Sequence, residues 1–306
     1  MIDIVMYHYV RPIKRSIYPR IKGLEVEAFK RQLEYFASER SVVSTSDVLN
    51  AVIGEFRLPK GAVWLTFDDG YKDHFEYVAP LLEQFGFDGA FFPVSDCYVK
   101  KNILDVNKIH YILASAESEG MLIDILKSEM FAEGFSQTDW SNFWFSVDKE
   151  SRYDSEKTTF FKRMLQKELP SNKRKKILSN LFEKIVGRSE SDINDELYMS
   201  KKDLISLHER GFTIGSHTAS HSWLNTLSID EQISEIDASL SSLESIRGEV
   251  DDWIMCYPYG EYNDETLSIL NSKNCALALT TKVGTADFLK QNKFELTRFN
   301  TNDFPQ

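Results

Sequence analysis

The chain has 306 residues, 42% of them hydrophobic, and a formal net charge of -11. This length and composition allow a sizeable core in one large α/β domain or two smaller ones, and we favour one domain with an insertion. The acidic balance argues against nucleic-acid binding, because phosphate contacts require a basic surface. Three cysteines without metal-site spacing indicate neither a disulfide framework nor a zinc ribbon, and they favour a reducing compartment.

The N-terminal segment is predicted to be a strand and not a targeting signal. Residues 1–10 lack a basic region followed by a long apolar run and a small-residue cleavage site. No uncharged apolar run approaches the roughly 18 residues that predict a transmembrane helix. We therefore expect a cytoplasmic protein without a transmembrane segment, for which peripheral association with the inner face of the membrane stays open.

Strands and helices alternate in the first third of the chain. Partial alternation predicts a strand, buried on both faces, that ends near His8. An apolar, β-branched and aromatic run over 63–67 predicts a second buried strand that leads into Asp68-Asp69-Gly70. Further elements are predicted as a helix over 26–39, a strand over 42–44, a helix from 46, a helix over 72–85 and a strand over 89–94.

The middle of the chain, from about 100 to 199, changes to a long, charged, helical pattern without obvious strands, and we interpret it as an insertion. Alternation then returns, with a strand over 212–216 that runs into His217. Polar residues at successive strand ends predict a barrel-like α/β fold with its site in the loops above the strands. The last elements are predicted as helices over 200–210, 228–246 and 264–272 and strands over 253–259, 275–281 and 294–299.

Two adjacent carboxylates end the strand over 63–67. Asp68 and Asp69 should repel each other, so one pKa should rise unless a cation neutralises the pair. An Asp-Asp-Gly turn without chemistry is the alternative, since these residues favour turns. A functional role for the pair therefore requires that another part of the chain supply a cation.

His217 and His221 are spaced four residues apart. If residues 218–221 begin a helical turn, the two side chains share one face, with Cβ atoms roughly 5 to 6 Å apart. The alternative is that the two histidines are incidental polar residues at the capped start of a helix. Together with one of the aspartates, however, the pair completes the three protein ligands of an open catalytic zinc-type site, and the other aspartate is left to accept a proton.

Three blocks in this order resemble the polysaccharide deacetylases of the NodB-homology type, carbohydrate esterase family 4. They are Thr66-Phe67-Asp68-Asp69-Gly70, Ser216-His217-Thr218-Ala219-Ser220-His221 and Tyr257-Pro258-Tyr259-Gly260. The resemblance covers about 1–98 and 200–300. It implies one domain over 1–306, a distorted (β/α) barrel of about seven strands with a helical insertion at about 100–199.

The resemblance also implies roles for these residues. Asp69, His217 and His221 would hold one divalent metal ion, zinc by default, although cobalt, nickel and iron suit the same ligands. Asp68 would be the general base, and the backbone N–H of Tyr259 would stabilise the oxyanion. The block would line the substrate groove through Tyr257, Pro258 and Tyr259, with core packing as the alternative for the two tyrosines.

Two departures from the family pattern lead to further candidates. Cys256 stands where the family commonly has an arginine that orients the base, and we expect Arg298 at the final strand to replace it. No histidine follows His221 to act as general acid. Tyr7-His8 resembles a branch of poly-N-acetylglucosamine deacetylase-like proteins with a permuted barrel, so His8 is the candidate acid, with a satisfied core histidine as the alternative. His74, His110 and His208 are predicted to be surface residues.

The leading hypothesis is metal-dependent removal of an N-acetyl group from an amino sugar in a polysaccharide or a lipid-linked or nucleotide-linked glycan precursor. One alternative is a catalytically degenerate sugar-binding or scaffold barrel, motivated by Cys256 and the missing histidine. Another is a related metal hydrolase that acts on a non-sugar amide or an O-acetyl ester. The insertion is a candidate for covering the site or for binding the precursor.

Overall fold

The structure is a computed structural model that describes residues 1–151 and 154–306. The chain divides into two compact units. The first, the barrel unit, comprises Met1–Pro12, Gly23–Asn102 and Asn194–Gln306. The second, the helical unit, comprises Ile103–Ile193 together with Ile13–Lys22, a segment that the sequence did not assign to it.

Short parallel strands form the barrel unit. Their bounds are β1 Asp3–Tyr7, β2 Ser41–Val42, β3 Ala62–Asp69, β4 Ala90–Pro93, β5 Thr213–Ile214, β6 Ile254–Cys256, β7 Leu277–Leu279 and β8 Phe299–Asn300.

The strands close into a ring. β1 pairs with β3 on one side and β8 on the other, and β4 and β5 continue the sheet beyond β3. β6 and β7 form a separate pair, which the parallel bridges Ser216–Met255 and Leu279–Leu296 join to the two edges of that sheet. β2 pairs only with the start of β3. The seven strands other than β2 therefore confirm the predicted α/β barrel.

Helices connect the strands and make up the helical unit. None in the described part of the chain is long and apolar enough to cross a bilayer. A π-helical turn, His74–Val78, leads into the third helix. The helices are α1 Val26–Glu39, α2 Thr45–Val52, α3 Ala79–Phe85, α4 Ser95–Val99, α5 Asp105–Ser115, α6 Glu119–Ala132, α7 Gln137–Ser146, α8 Glu156–Arg163, α9 Ser171–Val186, α10 Glu190–Leu197, α11 Lys201–Glu209, α12 Ile229–Arg247 and α13 Asp264–Ser272.

β3 carries the two aspartates at its end, and all eight of its residues are buried. Tyr7 of β1 and Phe91 of β4 stack on opposite sides of Phe67, with ring centroids 5.0 and 4.9 Å away. The Thr66 hydroxyl donates to the Val5 carbonyl at 2.7 Å. This packing fixes the end of β3, and with it the two aspartates, against both neighbouring strands.

Gly70 turns the chain directly after the two aspartates. It has φ +70°, and a Cβ added there would lie 2.7 Å from the Pro93 Cβ. We expect Gly70→Ala to lower the free energy of unfolding by about 2 to 4 kcal/mol, because left-handed strain and overpacking add. Gly86 is a matched control, since its φ is +68° and no atom lies within 4 Å of an added Cβ. Gly86→Ala should cost only the strain, about 1 kcal/mol, and equal losses in urea unfolding would contradict the steric account.

Candidate functional site

The site forms where parallel strands end at the same rim of the barrel. Asp68 and Asp69 are the last residues of β3, and His8 follows β1 directly. Tyr7 pairs with Phe67 in the ladder, so His8 comes next to Asp68 in register.

Asp69, His217 and His221 converge in a buried cluster, with one ligand atom from each lying within 4.8 Å of the others. The Nε2 atoms of His217 and His221 lie 3.4 and 3.5 Å from Asp69 Oδ1. That oxygen is buried and has no hydrogen-bond partner among residues 1–151 and 154–306. A buried carboxylate oxygen without a donor is costly, so this atom indicates that a cation belongs there.

The surroundings of the cluster orient its donor atoms. His217 Nδ1 donates to the Cys256 carbonyl at 2.8 Å, which leaves Nε2 as the atom that faces Asp69. The Tyr71 hydroxyl donates to Asp69 Oδ2 at 2.6 Å, so only Oδ1 is left open. One carboxylate oxygen and two imidazole nitrogens are a donor set that fits a divalent ion of the zinc type.

The two histidines do not share a helical face, so the conditional prediction of a helical turn over 218–221 was wrong. Thr218 and His221 have φ of 63° and 60°, which bends the segment into a loop that brings the two rings to 4.8 Å. Asp69 also lies in this region, with φ 69°. Left-handed backbone at non-glycine residues costs energy and is concentrated at functional sites. The loop is held by Glu235, whose Oε2 accepts from the Ala219 and Ser220 N–H groups at 3.2 and 2.9 Å.

Asp68 has a cation of its own. Arg298 donates from Nη1 and Nη2 to its two carboxylate oxygens at 2.9 and 2.8 Å, and the guanidinium is fully buried. Arg298 Nε donates to the Thr280 carbonyl at 2.8 Å, and Nη1 also reaches Cys256 Sγ at 3.2 Å. The thiol of Cys256 therefore contacts the guanidinium of Arg298, the residue that directly precedes β8.

The pKa values of both aspartates are lowered, whereas mutual repulsion in an isolated pair would raise one of them. Burial raises the pKa of Asp68, but the charges of Arg298 and then His217 outweigh it and lower the pKa to about 2. Burial also raises the pKa of Asp69, yet the His217 imidazole beside it and the charge of His221 bring it well below its usual range. Both carboxylates are therefore ionised, because Arg298 pairs with Asp68 and the imidazoles of His217 and His221 face Asp69.

His8 lies at the same rim and is half-buried. Its charge lowers the pKa of both Asp68 and Asp69, so the imidazole is within electrostatic reach of the two carboxylates. Its backbone carbonyl accepts a hydrogen bond from His74 Nε2 at 2.8 Å.

The aromatic side of the site differs from the prediction. Tyr259 packs against the His221 ring at 4.6 Å and stacks on Trp223 at 4.3 Å with an interplanar angle of 14°. Tyr257 is fully buried and donates from its hydroxyl to the Phe294 carbonyl at 2.8 Å, so its side chain belongs to the core and does not line a groove. The next residue, Pro258, is also buried and opens a 3-10 turn over Pro258–Gly260.

Sequence reasoning missed three residues here. Tyr71 and Trp223 gave no signal beyond lying two residues from a candidate ligand. His74 was predicted at the surface but is fully buried. The i, i+4 spacing of His74, Val78 and Leu82, all completely buried, places it on the core-facing stripe of its helix and would have identified it.

Known proteins resemble the chain in sequence and in fold. The family profile described as "Polysaccharide deacetylase" matches residues 57–134 and 157–278. The "Putative polysaccharide deacetylase YxkH" of Bacillus subtilis (strain 168) is 28% identical over 102 residues, which cover 33% of this chain and only 35% of that relative. The solved structure "Streptococcus pyogenes deacetylase PplD in complex with acetate" has a TM-score of 0.61 at 17% identity, covering 98% of this chain and 91% of that chain. IcaB from Ammonifex degensii has a TM-score of 0.55 at 15% identity, covering 98% and 91%.

The solved structures, at these identities, establish the shared fold alone. The family match establishes more, because its two ranges together span more than half of the chain. They include β3 with both aspartates and the loop with both histidines, whereas His8 and Arg298 lie outside them. The chain belongs to the polysaccharide deacetylase family.

Proposed function

We propose that the chain is a hydrolase that removes an N-acetyl group from an amino sugar in a polysaccharide or glycan precursor and that it requires one divalent metal ion. The observation that carries the proposal is the open oxygen of Asp69, which faces the two imidazole nitrogens at 3.4 and 3.5 Å beside an Asp68 carboxylate held by Arg298. A cation site next to a separately oriented carboxylate suits hydrolysis of an amide.

Asp69, His217 and His221 would hold the ion. When bound, such an ion polarises the acetyl carbonyl and lowers the pKa of water, and zinc is the default choice. Tyr71 keeps Asp69 in place through its hydrogen bond to Oδ2.

The remaining steps belong to side chains of the barrel unit. Asp68, ionised because of Arg298, accepts the proton of the attacking water. The backbone N–H of Tyr259 stabilises the negative charge that develops on the acetyl oxygen. His8 donates a proton to the departing amine, which cannot leave as an anion near neutral pH. Acetate and a free amino sugar are the products.

The aromatic pair of Tyr259 and Trp223 supports a sugar substrate. Both rings are partly exposed and lie beside His221, and aromatic faces pack well on the C–H faces of a sugar ring. The acidic chain also suits a product that gains a positive charge on deacetylation.

Acetate release from N-acetylglucosamine oligomers, O-acetylated oligomers and acetylated non-sugar amides tests the proposal. With metal restored, we expect turnover of the N-acetyl oligomers to exceed that of the other two classes. Faster turnover of either other class would overturn the substrate assignment. Binding of the oligomers with neither metal nor turnover would favour a scaffold instead.

His8→Gln is expected to lower kcat for the N-acetyl substrate about 10²- to 10³-fold, because the amine loses its proton donor. An aryl acetate, whose phenolate leaves without protonation, should be hydrolysed at nearly the rate of the wild type. Steady-state kinetics on the two substrates measure the difference. Equal losses on both would show that His8 is not the acid.

Tyr71→Phe is expected to weaken metal binding about 10- to 100-fold, because Asp69 loses the donor that orients it. Tyr262→Phe is the matched control, since the Tyr262 hydroxyl donates to Glu295 Oε1 at the same 2.6 Å but outside the cluster. Competition with a chromophoric chelator measures both affinities. The prediction is wrong if the two variants bind metal equally well.

A further inference from the structure

His74 is a buried histidine close to the proposed acid. Its ring lies among Phe67, Tyr71 and Phe91, with centroids 5.5, 5.7 and 5.9 Å away. It is the first residue of the π-helical turn His74–Val78. Such turns are rare in proteins overall, and many of those known lie at functional sites. An aromatic surrounding of this kind would suit an apolar side chain better than an imidazole.

One nitrogen of this ring makes a defined bond and the other makes none. Nε2 lies 2.8 Å from the His8 carbonyl oxygen, which only accepts, so Nε2 carries the hydrogen. Burial lowers the pKa of His74 to about 4, so the ring is neutral and Nδ1 carries no hydrogen. Nδ1 is buried without a partner among the described residues, and an unpaired buried polar atom is destabilising. The bond to His8 is the feature that a phenylalanine could not supply.

The bond acts at the point where β1 ends. Tyr7 is the last residue of the strand, so the ladder no longer fixes the backbone of His8. His74 holds the His8 carbonyl and thereby the orientation of that peptide. The same ring contacts Tyr71, whose hydroxyl donates to Asp69. His74 is therefore in contact with supports of both the proposed acid and the proposed metal site.

We propose that His74 is a positioning residue for deacetylation, which holds the backbone of His8 so that its imidazole reaches the departing amine. The proposal rests on the proposed function, in which His8 is the proton donor. It assigns to His74 no contact with substrate or metal.

Two variants separate the hydrogen bond from the packing. His74→Phe keeps an aromatic ring in the aromatic surrounding but removes the donor. We expect it to lower kcat for the N-acetyl oligomer about 10- to 100-fold with KM and metal content unchanged, and to leave aryl acetate hydrolysis within about twofold of wild type. His74→Gln carries an N–H at the position of Nε2 and should restore kcat to within about threefold. Proportional losses on both substrates, or a Gln variant as slow as the Phe variant, would overturn the proposal.

Nitrogen-15 NMR of the imidazoles decides the same question without turnover. In His74→Phe the His8 signals should shift or broaden, while those of His208, a partly exposed histidine of α11, stay unchanged. Unchanged His8 signals would overturn the positioning role. A wild-type protein that releases no acetate would instead overturn the proposed function, and the NMR comparison would still show whether His74 holds His8.

Discussion

Asp68→Asn is expected to lower kcat for acetate release about 10³-fold while the protein still binds one metal ion. The asparagine keeps the shape of the side chain but cannot take a proton from water, and loss of a general base costs about 10²- to 10⁴-fold. Its amide group also faces Arg298 Nη2, which lies 2.8 Å from Oδ2 in the wild type, so a donor would oppose a donor. Arg298 then keeps a buried charge without its counter-ion, and we expect about 3 to 5 kcal/mol of stability to be lost.

Metal content separates this effect from loss of the metal centre. Asp69→Asn should lose both metal and activity, whereas Asp68→Asn should lose activity alone. If Asp68→Asn folds too poorly to assay, combining it with Arg298→Met removes the unpaired guanidinium and should recover stability but not activity. Activity within a few-fold of wild type in either protein would show that Asp68 is not the base.

Arg298→Met is expected to abolish most activity near neutral pH and to shift the acidic limb of the pH–rate profile to higher pH. Burial raises the pKa of Asp68, and the Arg298 charge is the largest influence that opposes it. Without the guanidinium, the carboxyl should therefore be protonated over a wider pH range and regain its role as base only at higher pH. The activity and pH profile of Arg298→Lys should lie between those of the wild type and Arg298→Met, because an ammonium supplies the charge but not the bidentate contact.

The same pair gives stability a defined pH dependence. The folded pKa of Asp68 is about 2 and the ordinary value is 3.8, so the pair stabilises the fold above pH 3.8 and the contribution is lost as the pH falls towards 2. In Arg298→Met the contribution of Asp68 to stability changes from favourable to unfavourable. A carboxyl whose folded pKa is raised destabilises the fold once the pH exceeds the ordinary pKa of the group. Urea unfolding between pH 2 and 7 measures this. Parallel curves for the two proteins would contradict the account.

Local sequence patterns could predict the barrel and part of its site. A fully buried run ending in Asp68 and Asp69 identified β3, because apolar β-branched and aromatic residues in a short run favour a central strand. The spacing of His217 and His221 identified the other two members of the Asp69 cluster, although the predicted helical geometry was wrong. Positive φ at Thr218 depends on tertiary packing, and a histidine-rich segment contains no local pattern that specifies it.

Contacts between distant residues could be predicted less well. Arg298 and Asp68 are 230 residues apart, and the departure at Cys256 suggested the pair without fixing its geometry. Tyr257 and Tyr259 are both aromatic and two residues apart, yet the first is in the core and the second faces the site. A left-handed backbone at Tyr259, with φ 59°, changes the direction of the chain inside the turn Pro258–Gly260, and composition does not reveal it.

Metal content and acetate release, measured on the same preparation before and after chelation, test the central claim that Asp69, His217 and His221 hold the ion on which deacetylation depends. We expect the wild type and a His208→Ala control to bind one divalent ion per chain, to lose acetate release when stripped and to regain it on reloading. We expect His217→Ala to bind no stoichiometric ion and to release no acetate before stripping or after reloading. Full acetate release by stripped protein, or full recovery by reloaded His217→Ala, would contradict the assignment of this cluster as the metal centre.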